Sequence, residues 1–303
     1  MVMSLRWTAI SASVRGASHE QGGHENQDAV RLKNSSGAGD VLLLAVADGH
    51  GSSRSFRSDR GAALAAECAL RELHRFVRRL GPETPLSRVR NQAKNRWPKA
   101  LLAAWKSTVR AELTAHPFTP LEFAAFPEPP PVVKKGEELP VTAYLAYGAT
   151  LLAVAITPRY ILYSQLGDGD ILTVGADGVV SRPLPRRHEF MANQTISLCS
   201  HHAPNEFQIR VDALRGPVPA LIMLSTDGYA NCFGDDESFF QVGADFLSYL
   251  RSEGVDFVRE KLAEWLRQSS HDGSGDDITV GLAARANTFS SPGRPGTETP
   301  SIS

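Results

Sequence analysis

Aspartates beside glycines follow several short apolar runs of the sequence. They occur in Asp48-Gly49-His50-Gly51, Gly167-Asp168-Gly169-Asp170 and Asp227-Gly228. A carboxylate where a buried strand meets its loop is held rigidly yet stays open to solvent, and a neighbouring glycine lets a ligand approach the backbone. The Asp276-Asp277 pair precedes a final apolar run, and Asp28 lies near the N-terminus. We therefore treat these residues as candidates for one shared site.

Several carboxylates brought together repel one another and, unless protonated, need a cation between them. Oxygen ligands without paired cysteines or several histidines select a hard ion, Mg²⁺ or Mn²⁺, over zinc. Asp-Gly is also a common turn dipeptide, and Asp177-Gly178 illustrates this between two runs that read as a hairpin, 171–174 and 179–181. The interpretation as a metal site therefore depends on the clusters jointly and not on any single pair.

The remaining patterns predict the elements that must position these residues. Short β-branched runs predict strands at 41–47, 150–156, 160–166, 221–226 and 278–282. Apolar residues at spacings of three and four predict helices over 62–80, ending at Gly81-Pro82, over 97–113 and over 255–266. Because helices and hairpins occur in separate blocks, the fold class is α+β with mainly antiparallel sheets.

The motifs resemble, in order, those of the metal-dependent serine/threonine protein phosphatases of type 2C, in their bacterial branch. The resemblance runs over roughly residues 8–286 and rests on Asn26-Gln27-Asp28-Ala29, Val46-Ala47-Asp48-Gly49-His50-Gly51, Tyr147-Gly148-Ala149-Thr150, Leu166-Gly167-Asp168-Gly169-Asp170, Ser225-Thr226-Asp227-Gly228 and Gly275-Asp276-Asp277-Ile278-Thr279-Val280. Each motif alone is weak evidence for the family, whereas the occurrence of all of them in the family's order is specific. The resemblance implies a four-layer αββα sandwich of two mainly antiparallel sheets flanked by helix pairs, with a two-metal site at one end.

Carried over position by position, the resemblance assigns a role to each aspartate. Asp48 would bridge two Mn²⁺ or Mg²⁺ ions, and the Gly49 carbonyl would add a ligand. Asp227 and Asp276 would hold the first ion. Asp28 would act at or just behind the second ion, and Asp168 would hold a third, weaker one.

The chemistry of such a site is phosphoester hydrolysis. Two divalent ions about 3.5–4 Å apart lower the pKa of a bridging water and offset charge on the attacked phosphate, so a bridging hydroxide is the nucleophile. His50, beside a ligand, is the expected general acid for the leaving alkoxide. The resemblance implies an enzyme that removes phosphate from phosphoserine or phosphothreonine of a protein substrate, opposing a Ser/Thr kinase in signalling.

Two departures from the family pattern concern substrate and metal binding. The arginine that grips the phosphate in well-known members is absent from Gly22-Gly23-His24-Glu25, so we expect His19, His24 or Arg15 to contact the phosphate. Gln27 and Asn231 stand where many members have acidic residues. We expect this loss of charge to weaken the second and third metals most.

Two other functions compete with this interpretation. The Asp168-Gly169-Asp170 segment resembles the motif of haloacid-dehalogenase phosphatases, with Asp168 as a covalent nucleophile, but that reading leaves Asp48-Gly49-His50 idle. The missing arginine suggests a regulatory or adaptor domain that kept the fold and lost catalysis.

Composition sets the remaining expectations. The chain has 303 residues, 42 % hydrophobic, and a net charge of −1, which fits an ordinary globular protein and argues against polyelectrolyte binding. Residues 54–110 carry fourteen Lys and Arg against four Asp and Glu, which we interpret as the solvated outer face of core helices. The three cysteines form no CxxC pair, and no apolar run is long enough to span a membrane. We expect a cytoplasmic monomer without nucleic-acid or membrane partners.

The expected domain organisation is one catalytic domain over residues 1–286, followed by a disordered C-terminal tail over 287–303. Seven prolines between His116 and Pro140 mark an insertion, about 116–140, that we expect to lack regular structure and to border the active-site cleft.

Overall fold

The computed structural model describes residues 6–35, 41–124, 139–186, 196–200 and 202–286. Its strands are β1 (Trp7–Val14), β2 (Asp28–Ser35), β3 (Val41–Asp48), β4 (Leu151–Ile156), β5 (Tyr160–Leu166), β6 (Asp170–Val174), β7 (Val180–Ser181), β8 (Gln208–Ala213), β9 (Leu221–Ser225) and β10 (Ile278–Arg285). Its helices are α1 (Ala17–Gly22), α2 (Ser58–Leu80), α3 (Leu86–Asn95), α4 (Trp97–Ala115), α5 (Pro120–Phe123), α6 (Val141–Leu145), α7 (Ala203–Glu206), α8 (Asp227–Ala230), α9 (Asp236–Ser252) and α10 (Val255–Asp272).

The strands form two five-stranded sheets. One has the order β1-β10-β9-β6-β7 and the other the order β2-β3-β4-β5-β8, with every neighbouring pair antiparallel. The first strand therefore pairs with the last. Asp28, the first residue of β2, lies opposite Asp48, the last residue of β3.

The position of β3 inside its sheet, between β2 and β4, explains why its sequence is an unbroken apolar run. Leu42, Leu44 and Val46 face the other sheet and contribute to the core between the sheets. Leu43, Ala45 and Ala47 face the helices on the opposite side. A strand covered on both faces has no solvent-facing side, so it shows no alternation of polar and apolar residues.

Helices cover the outer face of each sheet. Helices α2, α3 and α4 pack on the sheet that contains β3, and α9 and α10 pack on the sheet that contains β10. The buried Trp97 of α4 donates its indole N–H to Ser164 Oγ at 2.9 Å, which satisfies the polar group of a large core residue. The arrangement is the expected four-layer αββα sandwich.

The predicted helices over 62–80, 97–113 and 255–266 are confirmed as parts of α2, α4 and α10. Helix α2 ends at Gly81, whose φ of 66° suits glycine, and Pro98 lies in the first turn of α4. The expectation of no regular structure in the insertion is wrong for Pro120–Phe123, which forms α5 under a Thr119 capping box. Residues 125–138 of the insertion and the expected tail lie outside the described residues. Within the described ranges, no helix is both long and apolar enough to cross a membrane.

Packing between the sheets predicts a specific effect of substitution at Gly281. A Cβ atom there would lie 2.8 Å from Leu44 Cδ1, in a core where Leu44 is fully buried. We expect Gly281→Ala to lower the free energy of unfolding by about 1–3 kcal/mol through overpacking. In a Leu44→Ala background, which itself costs about 2–5 kcal/mol, the Gly281→Ala change should cost less because space has been opened.

Urea denaturation of the single and double variants measures this coupling. Gly234→Ala is the control, because a Cβ at Gly234 meets no atom within 4 Å. Equal costs of Gly281→Ala in the two backgrounds would show that Leu44 does not limit the space at Gly281.

Candidate metal centre

The two sheets bring the candidate aspartates to one edge of the sandwich. Asp28 and Asp48 lie opposite each other at the ends of β2 and β3. Asp227 begins α8 directly after Thr226, which follows β9, and Asp168 lies two residues before β6. Asp276 lies two residues before β10. Each carboxylate therefore stands at the junction of a buried strand and its loop, as the sequence indicates.

The electrostatics show that these side chains share one site. The pKa of Asp48 is raised well above its ordinary value, first by burial and then by the negative charges of Asp28, Asp227 and Asp168. Burial and Asp168 raise the pKa of Asp227, and Asp276 adds to the effect. Burial and neighbouring negative charge both disfavour the ionised forms of Asp48 and Asp227, so a cation beside these carboxylates would stabilise them as anions.

Asp28 is oriented by a residue that the sequence analysis did not single out. Thr226 Oγ1 donates to Asp28 Oδ2 at 2.8 Å. The same hydroxyl accepts from the backbone N–H of Thr279 at 3.0 Å, and Thr226 N–H donates to the Thr279 carbonyl at 3.1 Å. Burial raises the pKa of Asp28 well above its ordinary value, and the Thr226 hydrogen bond opposes that rise. Thr226 thus ties Asp28 on one sheet to β10 on the other.

Gly49 is required by close packing. Its N–H donates to the Gln27 carbonyl at 3.1 Å, which joins the two loops that carry Asp48 and Asp28. A Cβ atom at Gly49 would lie 2.6 Å from the Ser58 carbonyl oxygen and 2.7 Å from that of Gln27. Moving the first carbonyl would displace the start of α2, and moving the second would displace the segment before Asp28.

His50 lies against the turn before β4. Its N–H donates to the Gly148 carbonyl at 3.1 Å, and a Cβ at Gly148 would lie 2.5 Å from the His50 ring atom Cδ2. Burial lowers the pKa of His50, while the charge of Asp168 opposes that decrease. The imidazole therefore lies within the electrostatic reach of Asp168.

Asp276 and Asp277 are adjacent in sequence and differ in environment. The Asp276 side chain is about half exposed, whereas that of Asp277 is 4 % exposed. Asp277 accepts from the backbone N–H groups of Gly16 at 2.7 Å and of Gln27 at 2.6 Å. Asp277 is thus a structural residue that fixes the segment before Asp28. The sequence pattern could not separate its role from that of Asp276, because both partners lie more than 200 residues away.

The three residues predicted to contact phosphate lie together beside Asp276. His19 Nε2 is 3.9 Å from Asp276 Oδ1, and His19 Nδ1 is 3.0 Å from Asp277 Oδ1. Arg15 Nη2 donates to the His19 carbonyl at 3.1 Å, and the exposed His24 ring packs edge-on against the His19 ring at 5.8 Å. Of the three, His19 has its ring between the two aspartates.

The haloacid-dehalogenase alternative requires a second carboxylate at Asp170. Asp170 is 2 % exposed, and its Oδ1 accepts from Arg182 Nε at 2.5 Å. Arg182 also binds Asp236 through both terminal nitrogens, so Asp170 belongs to an ion-pair network between β6 and α9. Because Asp170 is buried in this ion-pair network, it is not available as the second carboxylate of a haloacid-dehalogenase site.

The donor set fits a hard divalent cation. The cluster offers carboxylate oxygens from five aspartates, and burial with neighbouring negative charge raises the pKa values of Asp28, Asp48 and Asp227. His19 and Asp277 lie beside Asp276 of this cluster, and the potential ligand atoms of these three residues lie within 4.8 Å of one another. Asp277 already accepts two backbone N–H groups. Oxygen-rich sites of this kind suit Mg²⁺ and Mn²⁺.

Comparisons with known proteins point to one family. A model of the family described as protein phosphatase 2C matches residues 15–267. The fold is similar to the catalytic domain of the serine/threonine protein phosphatase PstP in complex with two manganese ions, at 19 % identity and a TM-score of 0.53, covering 92 % of this chain and 97 % of that one. It is also similar to the serine/threonine phosphatase Stp1 from Staphylococcus aureus, at 15 % identity and a TM-score of 0.56, covering 94 % and 97 %.

A third similar structure is the S. agalactiae serine/threonine phosphatase, at 18 % identity and a TM-score of 0.51, covering 92 % of this chain and all of that one. At these identities the likeness shows a shared fold. It confirms the expected αββα sandwich. A sequence comparison with curated proteins gave no match.

The raised carboxyl pKa values predict how stability depends on pH without metal. Below about pH 3 these aspartates are largely protonated in both the folded and unfolded states. As pH rises, the unfolded chain ionises first, so stability falls until pH passes the raised folded pKa, by about 1.4 kcal/mol per pKa unit of increase. In EDTA, we expect Tm to decline less steeply with pH in Asp48→Asn than in the wild type.

Added Mn²⁺ should reverse this decline, because a metal binds ionised carboxylates and competes with protons. Thermal unfolding with and without Mn²⁺ should therefore give a larger increase in Tm at pH 8 than at pH 5. If Mn²⁺ stabilised Asp48→Asn as strongly as the wild type, Asp48 would not be a ligand.

Proposed function

The chain belongs to the protein phosphatase 2C family, and from this premise we propose that it hydrolyses phosphoserine and phosphothreonine in proteins through a dinuclear Mn²⁺ or Mg²⁺ site. The observation that carries the proposal is the convergence of five aspartates from both sheets at one edge of the sandwich, where burial and then neighbouring negative charge raise the pKa values of Asp28, Asp48 and Asp227. The substrate is a protein that a Ser/Thr kinase has phosphorylated.

We assign the metal ligands by position. Asp48 would be shared by the two ions, and the Gly49 carbonyl would be an additional ligand. Asp227 and Asp276 would hold the first ion, Asp28 would act at or behind the second, and Asp168 would hold a third, weaker one. When bound, the ions supply an activated water for in-line attack and offset the negative charge of the phosphate.

His50 is the proposed general acid for the leaving alkoxide. A seryl or threonyl alkoxide is strongly basic and must receive a proton as the P–O bond breaks. The contact of His50 with Gly148 fixes the ring at the edge of the cluster. This position suits proton donation to a leaving group that faces the metals.

His19 is the proposed phosphate contact, with Arg15 and His24 supporting it. Arg15 donates to the His19 backbone, and the His24 ring packs on that of His19. An imidazole offers one donor toward a ligand where a guanidinium offers a bidentate fork. His19 therefore orients a phosphate less strictly than an arginine would.

Hydrolysis of p-nitrophenyl phosphate tests the assigned metal site. We expect turnover that requires Mn²⁺ or Mg²⁺ and disappears in EDTA. Asp48→Asn and Asp227→Asn should each lower turnover by more than about 100-fold, since even residues that only orient metal ligands cost about 10–100-fold. Asp177→Asn is the matched control, because Asp177 caps a surface turn through Val179 N–H. If neither this ester nor any phosphopeptide showed metal-dependent turnover, the chain would be an adaptor with the phosphatase fold.

Leaving-group dependence tests the role of His50. We expect His50→Gln to lower turnover of a phosphothreonine peptide by about 100-fold or more, the contribution typical of a general acid. Turnover of p-nitrophenyl phosphate should fall far less, because p-nitrophenolate leaves without a proton. His74→Gln, on outer helix α2 near Lys33 and Arg78, serves as the control. Equal losses on both substrates would remove His50 from the acid role.

A further inference from the structure

Arg57 is a buried arginine at the start of α2 whose five N–H donors are all used. It is 5 % exposed. Nε and Nη2 bind the two Glu122 carboxylate oxygens at 2.6 and 2.8 Å, and Nη2 also donates to the Pro117 carbonyl at 3.0 Å. Nη1 donates to the His116 carbonyl at 2.6 Å and to the Tyr147 hydroxyl at 2.7 Å. Complete use of the guanidinium fixes two segments of the chain at once.

One of these segments is the base of the proline-rich insertion. Glu122 lies in α5, and its pKa is lowered to about 2, chiefly by the hydrogen bonds from Arg57. The guanidinium also lies 4.7 Å from the centre of the Phe118 ring. Phe118 packs edge-on against Phe56, which precedes Arg57 in the loop that follows His50. The described start of the insertion is therefore joined to that loop.

The other segment is the turn on which His50 lies. The Arg57 N–H donates to the Ala146 carbonyl at 2.9 Å, and its side chain binds the Tyr147 hydroxyl. The next residue, Gly148, accepts the His50 N–H and faces the His50 ring. Arg57 therefore binds this turn through both its backbone and its side chain. Tyr147, which the side chain binds, immediately precedes Gly148, which accepts the hydrogen bond from His50.

We propose that Arg57 is a positioning residue that holds His50 in place by joining the 146–148 turn and the loop after His50 to the base of the insertion. This inference rests on the acid role proposed for His50. Arg57 itself touches no reacting group. Lysine cannot replace it, because an ammonium group has three donors and no planar fork to bind a carboxylate, a hydroxyl and two carbonyls together.

Two variants test the proposal. Arg57→Lys keeps the charge and loses the fork, and Tyr147→Phe removes only the hydroxyl that Arg57 binds, so it tests the link should Arg57→Lys fold poorly. Arg60→Lys is the matched control. Arg60 lies about one helical turn further along α2 and pairs with Glu112 at an exposed position. Each protein is assayed with Mn²⁺ on a phosphothreonine peptide and on p-nitrophenyl phosphate.

We expect both test variants to lower kcat for the phosphopeptide by about tenfold, a loss in keeping with small misplacement of a reacting group. Turnover of p-nitrophenyl phosphate should change less than about twofold, and combination with His50→Gln should add no further loss on the phosphopeptide. Hydrogen exchange at the His50 amide, which binds Gly148, should become faster in both variants and stay unchanged in Arg60→Lys.

Equal losses on the two substrates, full additivity with His50→Gln, or wild-type exchange at the His50 amide would each overturn the positioning role. Failure of the proposed function has a different signature. It would appear as a wild-type protein without metal-dependent turnover, or as equal effects of His50→Gln on both substrates. In that case the exchange rate of the His50 amide decides whether Arg57 holds this residue.

Discussion

The burial of several carboxyl groups at one edge of the sandwich is the constraint on which the site depends. Burial, and then neighbouring negative charge, raises the pKa values of Asp28, Asp48 and Asp227, so the fold holds these groups together at an electrostatic cost. That cost is offset by the apolar core between the sheets and by the two outer cores beneath the helices. The apolar residues of the inner strands pack on both faces of each sheet, which fixes the position of the strands. The carboxylates at the ends of these strands therefore lie at one shared edge.

Neutral groups hold the charged ones in register. Thr226 bonds to Asp28 and to the backbone of Thr279, and Ser274 Oγ donates to the Gly228 carbonyl at 2.7 Å while accepting from Asp276 N–H at 3.3 Å. These bonds connect the loops after β9 and before β10 without adding charge near the cluster. A cation that binds there therefore meets ligands whose directions are already set, which reduces the ordering that binding requires.

Local patterns in the sequence predicted much of the fold and the candidate aspartates, because strand runs and adjacent Asp-Gly pairs are short-range signals. Helix α3 was missed, since Val89 and Ala93 are its only buried side chains and its apolar stripe is too narrow to detect. The roles of Asp277 and Arg57 could not be predicted for another reason. Asp277 binds Gly16, 261 residues away, and Arg57 binds Glu122, 65 residues away. Such pairs are specified by the packed fold and leave no periodic signal.

Charge also bears on how a phosphate would be bound under the proposed function. The cluster carries five aspartates, whereas His19, His50 and Arg15 are basic groups near its edge. A phosphate dianion would be repelled by the metal-free site, so metal binding must precede substrate binding or accompany it. Two divalent ions then provide most of the attraction. If His19 contacts the phosphate as proposed, its imidazole would alter the orientation of the phosphate more than its affinity, because orientation is what the bidentate fork of an arginine adds beyond charge.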